Sequence, residues 1–380
     1  MHLNLGSILR ANAHEQPDAI VLRAGDLALR YADLDRAARG VAASLRARGI
    51  EPGDKVALLV PNVPEFTIAY FGILYAGASV VPINVLAAAP EVTYFLQDSE
   101  ARLLVVHPLF EKAGREGAKA VEVPVVLAAG DGDADTIGAM AKHEPVETVH
   151  PTSPQDTAVI LYTSGTTGRP KGAMLTGLGM VHSILHYQYC LGLEEGERVL
   201  LAVPASHVTG LIAIVGATTR LAGTLILMKR FQARSFLDLA QRDRMTFTVL
   251  VPAMANLCLL EPSFAQTDLS SWRVCGYGGA PMPEATIAGL AQRLPGLRLA
   301  NLYGATETTS PTTIMPAGGT ALRPDSVGLP VPLGEVRIVD EDGREVPRGT
   351  EGELWIAGPM VVPGYWDAAE ATRVNFAGRF

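Results

Sequence analysis

Residues Tyr162 to Gly172 read YTSGTTGRPKG, with four short hydroxyl side chains and two glycines ahead of a Pro-Lys-Gly ending. These residue types in this order predict a phosphate cradle. Glycine tolerates φ > 0 and lets backbone approach a ligand closely, so Gly165 and Gly168 can turn several N–H groups toward one anion. Thr163, Ser164, Thr166 and Thr167 add hydroxyl donors. Lys171 offers a full positive charge to a polyphosphate, and Pro170 stiffens its approach. A P-loop sets its Lys directly after the second Gly of G-x-x-x-x-G-K-[ST]. Here Arg169 and Pro170 intervene, so the loop is of another kind. The competing reading is a polar turn between two strands.

A second group of residues lies at Asn301 to Thr308, NLYGATET, after an apolar strand. Open α/β sheets bind ligands beyond the carboxyl ends of their strands, where Tyr303, Thr306 and Glu307 would stand. Tyr303 offers a flat face to a purine, and Gly304 permits close backbone approach. Glu307 is an oxygen ligand suited to Mg²⁺, which prefers few carboxylates plus phosphate oxygens. A capped helix start, with Thr306 as cap and Glu307 in the first turn, is the alternative. Tyr277 to Pro281, YGGAP, follows another strand and lacks the third glycine of a dinucleotide fingerprint. Its small residues suit either the lining of a slot or a plain tight turn. In Val203 to Gly210, VPASHVTG, His207 stands in an otherwise apolar stretch. Taken alone, such a histidine is a satisfied structural residue more often than a ligand.

Together these segments resemble the signatures of the adenylate-forming (AMP-binding) superfamily, in its acyl- and aryl-CoA synthetase branch. The resemblance implies that Thr163 to Lys171 hold the β- and γ-phosphates of ATP, and it matches Tyr303 to Glu307 to the family's Y-G-x-T-E. It puts Gly279, Ala280 and Pro281 in one wall of the adenine and acyl pockets, with Tyr277 and Gly278 lining the acyl side. His207 then stands beside the substrate carboxylate and the phosphates. Relatives that activate amino acids place an Asp in this region; none occurs between Leu200 and Gly210, which favours a non-amino carboxylic acid.

The implied reaction is ATP-dependent ligation of a fatty or aryl acid to coenzyme A through acyl-AMP. Thr163, Lys171, His207, Thr306 and Glu307 would carry the chemistry, with Mg²⁺ on Glu307. Gly352 to Trp366, GELWIAGPMVVPGYW, matches a further family motif whose implied role is structural. Two departures stand out. Leu175-Thr176-Gly177 replaces a segment where the family often has His, and the sequence ends at Phe380, ahead of an expected T-G-D segment, hinge and C-terminal domain with a catalytic Lys. The resemblance thus covers the family's larger domain, and the expectation is a chain that binds ATP and acid better than it turns them over. Two alternatives stay open: a non-catalytic module binding nucleotide or acyl-adenylate, and a ligase delivering to a carrier protein.

Composition narrows the classes. At 380 residues with 48% hydrophobic content, the chain predicts two or three packed lobes. A net charge of −8 without a dense Lys/Arg block leaves no electrostatic footprint for nucleic acid or an anionic membrane. Cys190, Cys258 and Cys275 are far apart in apolar surroundings, predicting reduced, buried thiols in a cytoplasmic protein; no CxxC or His-rich cluster points to zinc. Met1 to Arg10 lacks the pattern of a signal peptide. Two uncharged stretches, Phe66 to Ile83 and Leu200 to Thr219, are broken by Gly and Pro and read as helix plus strand rather than membrane spans.

The elements that must position these groups alternate. Ala19 to Arg23 with Leu27 to Tyr31 reads as a hairpin, and Tyr31 to Gly49 as a helix with Leu34, Ala37, Val41 and Leu45 on one face. Apolar strands are predicted at 55–60, 80–83, 102–106, 123–127, 157–161, 199–203, 224–228, 247–251, 273–277 and 297–302, most followed by helical patterns. The fold class is α/β: two packed βαβ-type lobes with mainly parallel sheets over residues 1–323, and a small antiparallel β lobe over 324–380. In that last lobe helices disappear and the strands 336–340 and 352–357 flank a turn at Asp342-Gly343.

Overall fold

A computed structural model describes residues 4–130, 135–163 and 168–376. In chain order its strands begin with β1 (Ile20–Ala24), β2 (Leu27–Arg30), β3 (Lys55–Leu59), β4 (Ser79–Pro82), β5 (Ala101–Val106), β6 (Val125–Leu127), β7 (Thr157–Thr163) and β8 (Lys171–Thr176). There follow β9 (Arg198–Leu201), β10 (Thr224–Leu227), β11 (Phe247–Leu250), β12 (Val274–Gly278), β13 (Arg298–Tyr303), β14 (Thr313–Ile314), β15 (Leu329–Pro330), β16 (Glu335–Val339) and β17 (Glu353–Ala357).

Six strands form one sheet in the order β6-β5-β3-β4-β7-β8, parallel except for β8, which pairs antiparallel with β7. Nine form a second, β15-β14-β13-β12-β11-β9-β10-β1-β2, with a parallel centre and antiparallel strands at both edges. β16 and β17 make a separate antiparallel pair. β15, although beyond residue 323, belongs to the edge of the nine-stranded sheet.

The sheets lie on either side of a shared core, because successive strand side chains point to opposite faces. Val56 and Leu58 of β3 and Val199 and Leu201 of β9 face this core, together with the helices Tyr31–Ala47, Pro64–Ala76 and Gly177–Cys190. Ala57 and Leu59 turn outward onto the helices Ala89–Asp98 and Glu111–Lys119. Leu200 and Cys275 turn outward onto Ala233–Arg242, Pro252–Leu260 and Glu284–Arg293. Both faces of the central strands are therefore apolar, as parallel sheets covered by helices require.

The structure corrects several expectations. A strand absent from the sequence-based expectations, β8, follows the phosphate loop. The helical pattern after the strand at 199–203 begins as a wide π-helical segment, Thr209–Gly216, where Gly210 packs against the Pro204 carbonyl. Helices do not vanish after Pro324: Ala369–Asn375 is one. Cys258 and Cys275 are buried, but Cys190 is only half-buried. No helix among the described residues is long and apolar enough to cross a membrane.

One core residue carries a pH dependence. His186, in the helix Gly177–Cys190, is 3% exposed, and burial pushes its pKa down to about 4, with His182 one turn away adding to the effect. Its folded value lies below the ordinary 6.5, so its contribution to stability is intact above pH 6.5 and lost as the pH falls toward 4. Urea denaturation is expected to show stability falling in that window by up to about 1.4 kcal/mol per pH unit from this proton, a slope that His186→Leu removes.

Candidate active site

Chain segments leaving strands of both sheets at their carboxyl ends converge on one cavity of about 710 Å³ between the two sheets. β7 delivers Thr163 from the six-stranded sheet. From the nine-stranded sheet, β9 leads to Pro204 and His207, β12 to Gly278 and Gly279, and β13 to Gly304, Thr306 and Glu307. Crevices of α/β sheets that receive ligands lie at this edge. Ile83, Phe95, Val208, Val249, Val251 and Leu302 supply apolar wall.

Each polar group is aimed by its local structure. Thr306 and Glu307 lie in a single 3₁₀ turn, Thr306–Thr308, in which the Ala305 N–H donates to Thr308 Oγ1 at 3.0 Å. The cap is thus Thr308, and Thr306 is left to face the cavity. The turn is followed by Thr309 and Ser310 at φ +49° and +29°, positions costly for residues with a side chain. They are held by Thr309 Oγ1 donating to the Met360 carbonyl at 2.7 Å and by the Tyr187 hydroxyl 2.9 Å from Ser310 Oγ.

His207 accepts a hydrogen bond at Nδ1 from the Thr209 N–H, 3.3 Å away. Desolvation in the cleft lowers its pKa below 6.5, so at neutral pH the ring is uncharged and its proton sits on Nε2, a donor rather than a base in waiting. The loop that leads to His207 is held by Asn62, which crosses from the end of β3: Nδ2 donates to the carbonyls of Val203 and Met228, both at 3.0 Å, and of Leu201 at 3.3 Å, while Oδ1 accepts from the Ala205 N–H at 2.8 Å.

Gly278 faces the cavity with no room for a side chain: a Cβ there would meet the Leu302 carbonyl at 2.3 Å. Gly279 has φ +78°, which only glycine adopts freely. Tyr277 does not line the acyl side as expected. It is 1% exposed, and strand alternation points its ring the other way, into the outer core with Cys275 and Met282. Ala280 and Pro281 are exposed past the turn, and Tyr303 stands 38% exposed at the end of β13, outside the cavity lining.

Of the phosphate loop, Ser164, Gly165, Thr166 and Thr167 lie outside the described residues. Its stems are fixed by the helix Ala89–Asp98: the Tyr94 hydroxyl donates to the Pro170 carbonyl at 2.6 Å, and the Tyr162 hydroxyl to Asp98 Oδ2 at 2.6 Å. Gly168 is exposed. Lys171 pairs with Thr163 across the β7–β8 ladder. Its Nζ lies not on the cavity wall but 5.3 Å from the centre of the Tyr365 ring.

Tyr365 is the residue that sequence reading missed. Its segment pairs with β8, with the Met174 N–H donating to the Gly364 carbonyl at 3.1 Å and the Trp366 N–H to the Gly172 carbonyl at 2.7 Å. From there the Tyr365 hydroxyl donates to Glu307 Oε1 at 2.7 Å. Burial and the adjoining carboxylate raise its pKa, so it stays a donor at any ordinary pH. The Gly-Tyr-Trp ending of a motif assigned to structure alone was the available signal.

A family model described as AMP-binding enzyme matches residues 9–366. A feruloyl-CoA synthase of Amycolatopsis sp is 36% identical over 368 residues, covering 97% of this chain and 72% of that protein. The long-chain-fatty-acid–CoA ligase FadD13 of Mycobacterium tuberculosis is 32% identical over 382 residues, covering 98% and 74%. The structure of the anthranilate CoA ligase AuaEII, in complex with anthranoyl-AMP, superposes with a TM-score of 0.93 at 25% identity over 100% of this chain and 73% of that one. The chain belongs to the AMP-binding enzyme family. Its fold is that of the adenylate-forming enzymes' N-terminal domain.

Proposed function

We propose that this chain is the adenylating part of an AMP-forming acid–CoA ligase acting in the cytoplasm on an aryl or alkyl monocarboxylic acid. The observation that carries the reading is the convergence of Thr163, His207, Thr306 and Glu307 on one cavity with apolar walls. Among the described residues neither Lys nor Arg lines that cavity, so a tail bearing a second anionic group finds no partner among them. An uncharged tail fits.

In the first step a carboxylate oxygen attacks the α-phosphorus of ATP, forming the acyl–phosphate bond and expelling pyrophosphate. In the second, the CoA thiolate attacks the acyl carbon and AMP leaves. Catalysis of this kind is chiefly positioning and charge stabilisation. Thr163 and Lys171, with the loop between them, hold the leaving pyrophosphate, while Thr306 donates near the α-phosphate. The neutral His207 donates from Nε2 to an anionic oxygen, since the acid is already ionised at pH 7. Tyr303, with Gly304, Ala280 and Pro281, is assigned to the adenine side.

No cluster of three or more His, Cys, Asp or Glu occurs among the described residues, so a metal here must complete its shell with phosphate oxygens and water. That donor set, with Glu307 alone, suits Mg²⁺, which when bound would neutralise phosphate charge. The test is ATP–pyrophosphate exchange with a panel of benzoate, cinnamate and fatty acids. Exchange that depends on one of these acids supports the reading, and ATP binding without exchange for any acid overturns it.

A further inference from the structure

The carboxylate of Glu307 does not stand alone. It takes a hydrogen bond at Oε1 from Tyr365, whose ring on its other side meets the Lys171 ammonium. Tyr365 is itself held by backbone: its segment bonds to Gly172 and Met174 of β8, its N–H donates to Thr372 Oγ1 at 3.0 Å, and its ring packs edge-on to Phe376 at 5.5 Å between centres. The Val362 N–H donates to the Glu307 carbonyl at 2.9 Å, so the same segment grips both the backbone and the side chain of Glu307. Glu307 follows a strand of the nine-stranded sheet and Lys171 opens β8 of the six-stranded one, so Tyr365 touches groups that come from both sheets.

We propose that Tyr365 is a positioning residue that fixes one oxygen of Glu307, leaving the other aimed at the metal–phosphate group, and sets Lys171 at a defined place beside it. The inference rests on the role proposed for Glu307. A carboxylate with one oxygen locked by a neutral donor presents the other in a single orientation, and loss of such an outer partner typically costs about 10- to 100-fold in metal affinity or activity. The ring does a second job. Its face holds an ammonium without neutralising it, so the charge of Lys171 remains available to an anion.

Tyr365→Phe separates the two roles, because it keeps the ring, the pairing with β8 and the contact with Lys171 while deleting the hydroxyl. Acid-dependent pyrophosphate exchange by this variant is expected to fall about 10- to 100-fold, with half-saturation by Mg²⁺ moving to a higher concentration by a similar factor. Calorimetric titration with Mg²⁺–ATP should show weakened binding while the thermal midpoint stays at the wild-type value. In the Glu307→Gln background, Tyr365→Phe should add nothing. Unchanged exchange and Mg²⁺ dependence in Tyr365→Phe, or losses that multiply with those of Glu307→Gln, overturn the inference while leaving the ligase reading in place. Wild-type protein that exchanges pyrophosphate with no acid overturns both.

Discussion

Glu307→Gln is expected to slow acid-dependent pyrophosphate exchange by about 10² to 10³ relative to the unsubstituted chain, the usual cost of removing one preorganised electrostatic group from a transition state. The substitution is narrow in what it changes. The Gln carbonyl oxygen can still accept from the Tyr365 hydroxyl that bonds to Oε1, and the backbone carbonyl still accepts from Val362. The turn Thr306–Thr308 keeps its own bond from Ala305 to Thr308, so the fold has no reason to respond. What disappears is the negative charge. A loss of rate with an unaltered melting curve, larger at low Mg²⁺ than at high, is the expected pattern. Equal rates for the two proteins across all Mg²⁺ concentrations would remove Glu307 from the mechanism.

Asn62→Leu is expected to lower the free energy of unfolding by about 2 to 4 kcal/mol, measured by urea denaturation. Asn62 is buried, and its amide bonds to four backbone groups at the ends of β9 and β10 and in the loop that leads to His207. Each buried group left unsatisfied costs about 1 to 3 kcal/mol, and the Leu201 carbonyl keeps a second partner in the Met228 N–H. Asn62→Asp should be worse than Leu despite its shape. A carboxylate there can only accept, and it would face the carbonyls of Leu201, Val203 and Met228. Because the clamp holds the backbone of the loop that leads to His207, both variants should also lose exchange activity beyond the loss explained by unfolded protein. A Leu variant as stable as the unsubstituted chain would show that the two sheets need no tie at this point.

The parts of the site that were legible in the sequence are those written locally. A glycine-hydroxyl loop ending in Lys171, a strand end carrying Thr306 and Glu307, and the small residues Gly278 and Gly279 each declare their chemistry within about ten residues. The sheet class was legible for a similar reason, since apolar strands at 55–60, 102–106 and 199–203 alternate with helical periods. Tyr277 failed because its strand is apolar on both faces. Alternation fixes which residues share a side but not which side meets the ligand. Asn62 and Tyr365 act over separations of about 140 and 58 residues, and nothing in their own neighbourhoods announces their partners. β8 was missed because it runs directly into the helix Gly177–Cys190, whose stronger signal absorbed it.

The pairing of the 364–366 segment with β8 has a consequence for the protein's behaviour in a crowded solution. β8 is the last strand of its sheet, and a bare outer strand is a template on which a second molecule can dock its own backbone. Here the donors of Met174 and Trp366 and the acceptors of Gly172 and Gly364 satisfy one another along that rim. The residues that orient the carboxylate at the site are also those that close the rim, so loosening them would favour self-association along with any loss of rate.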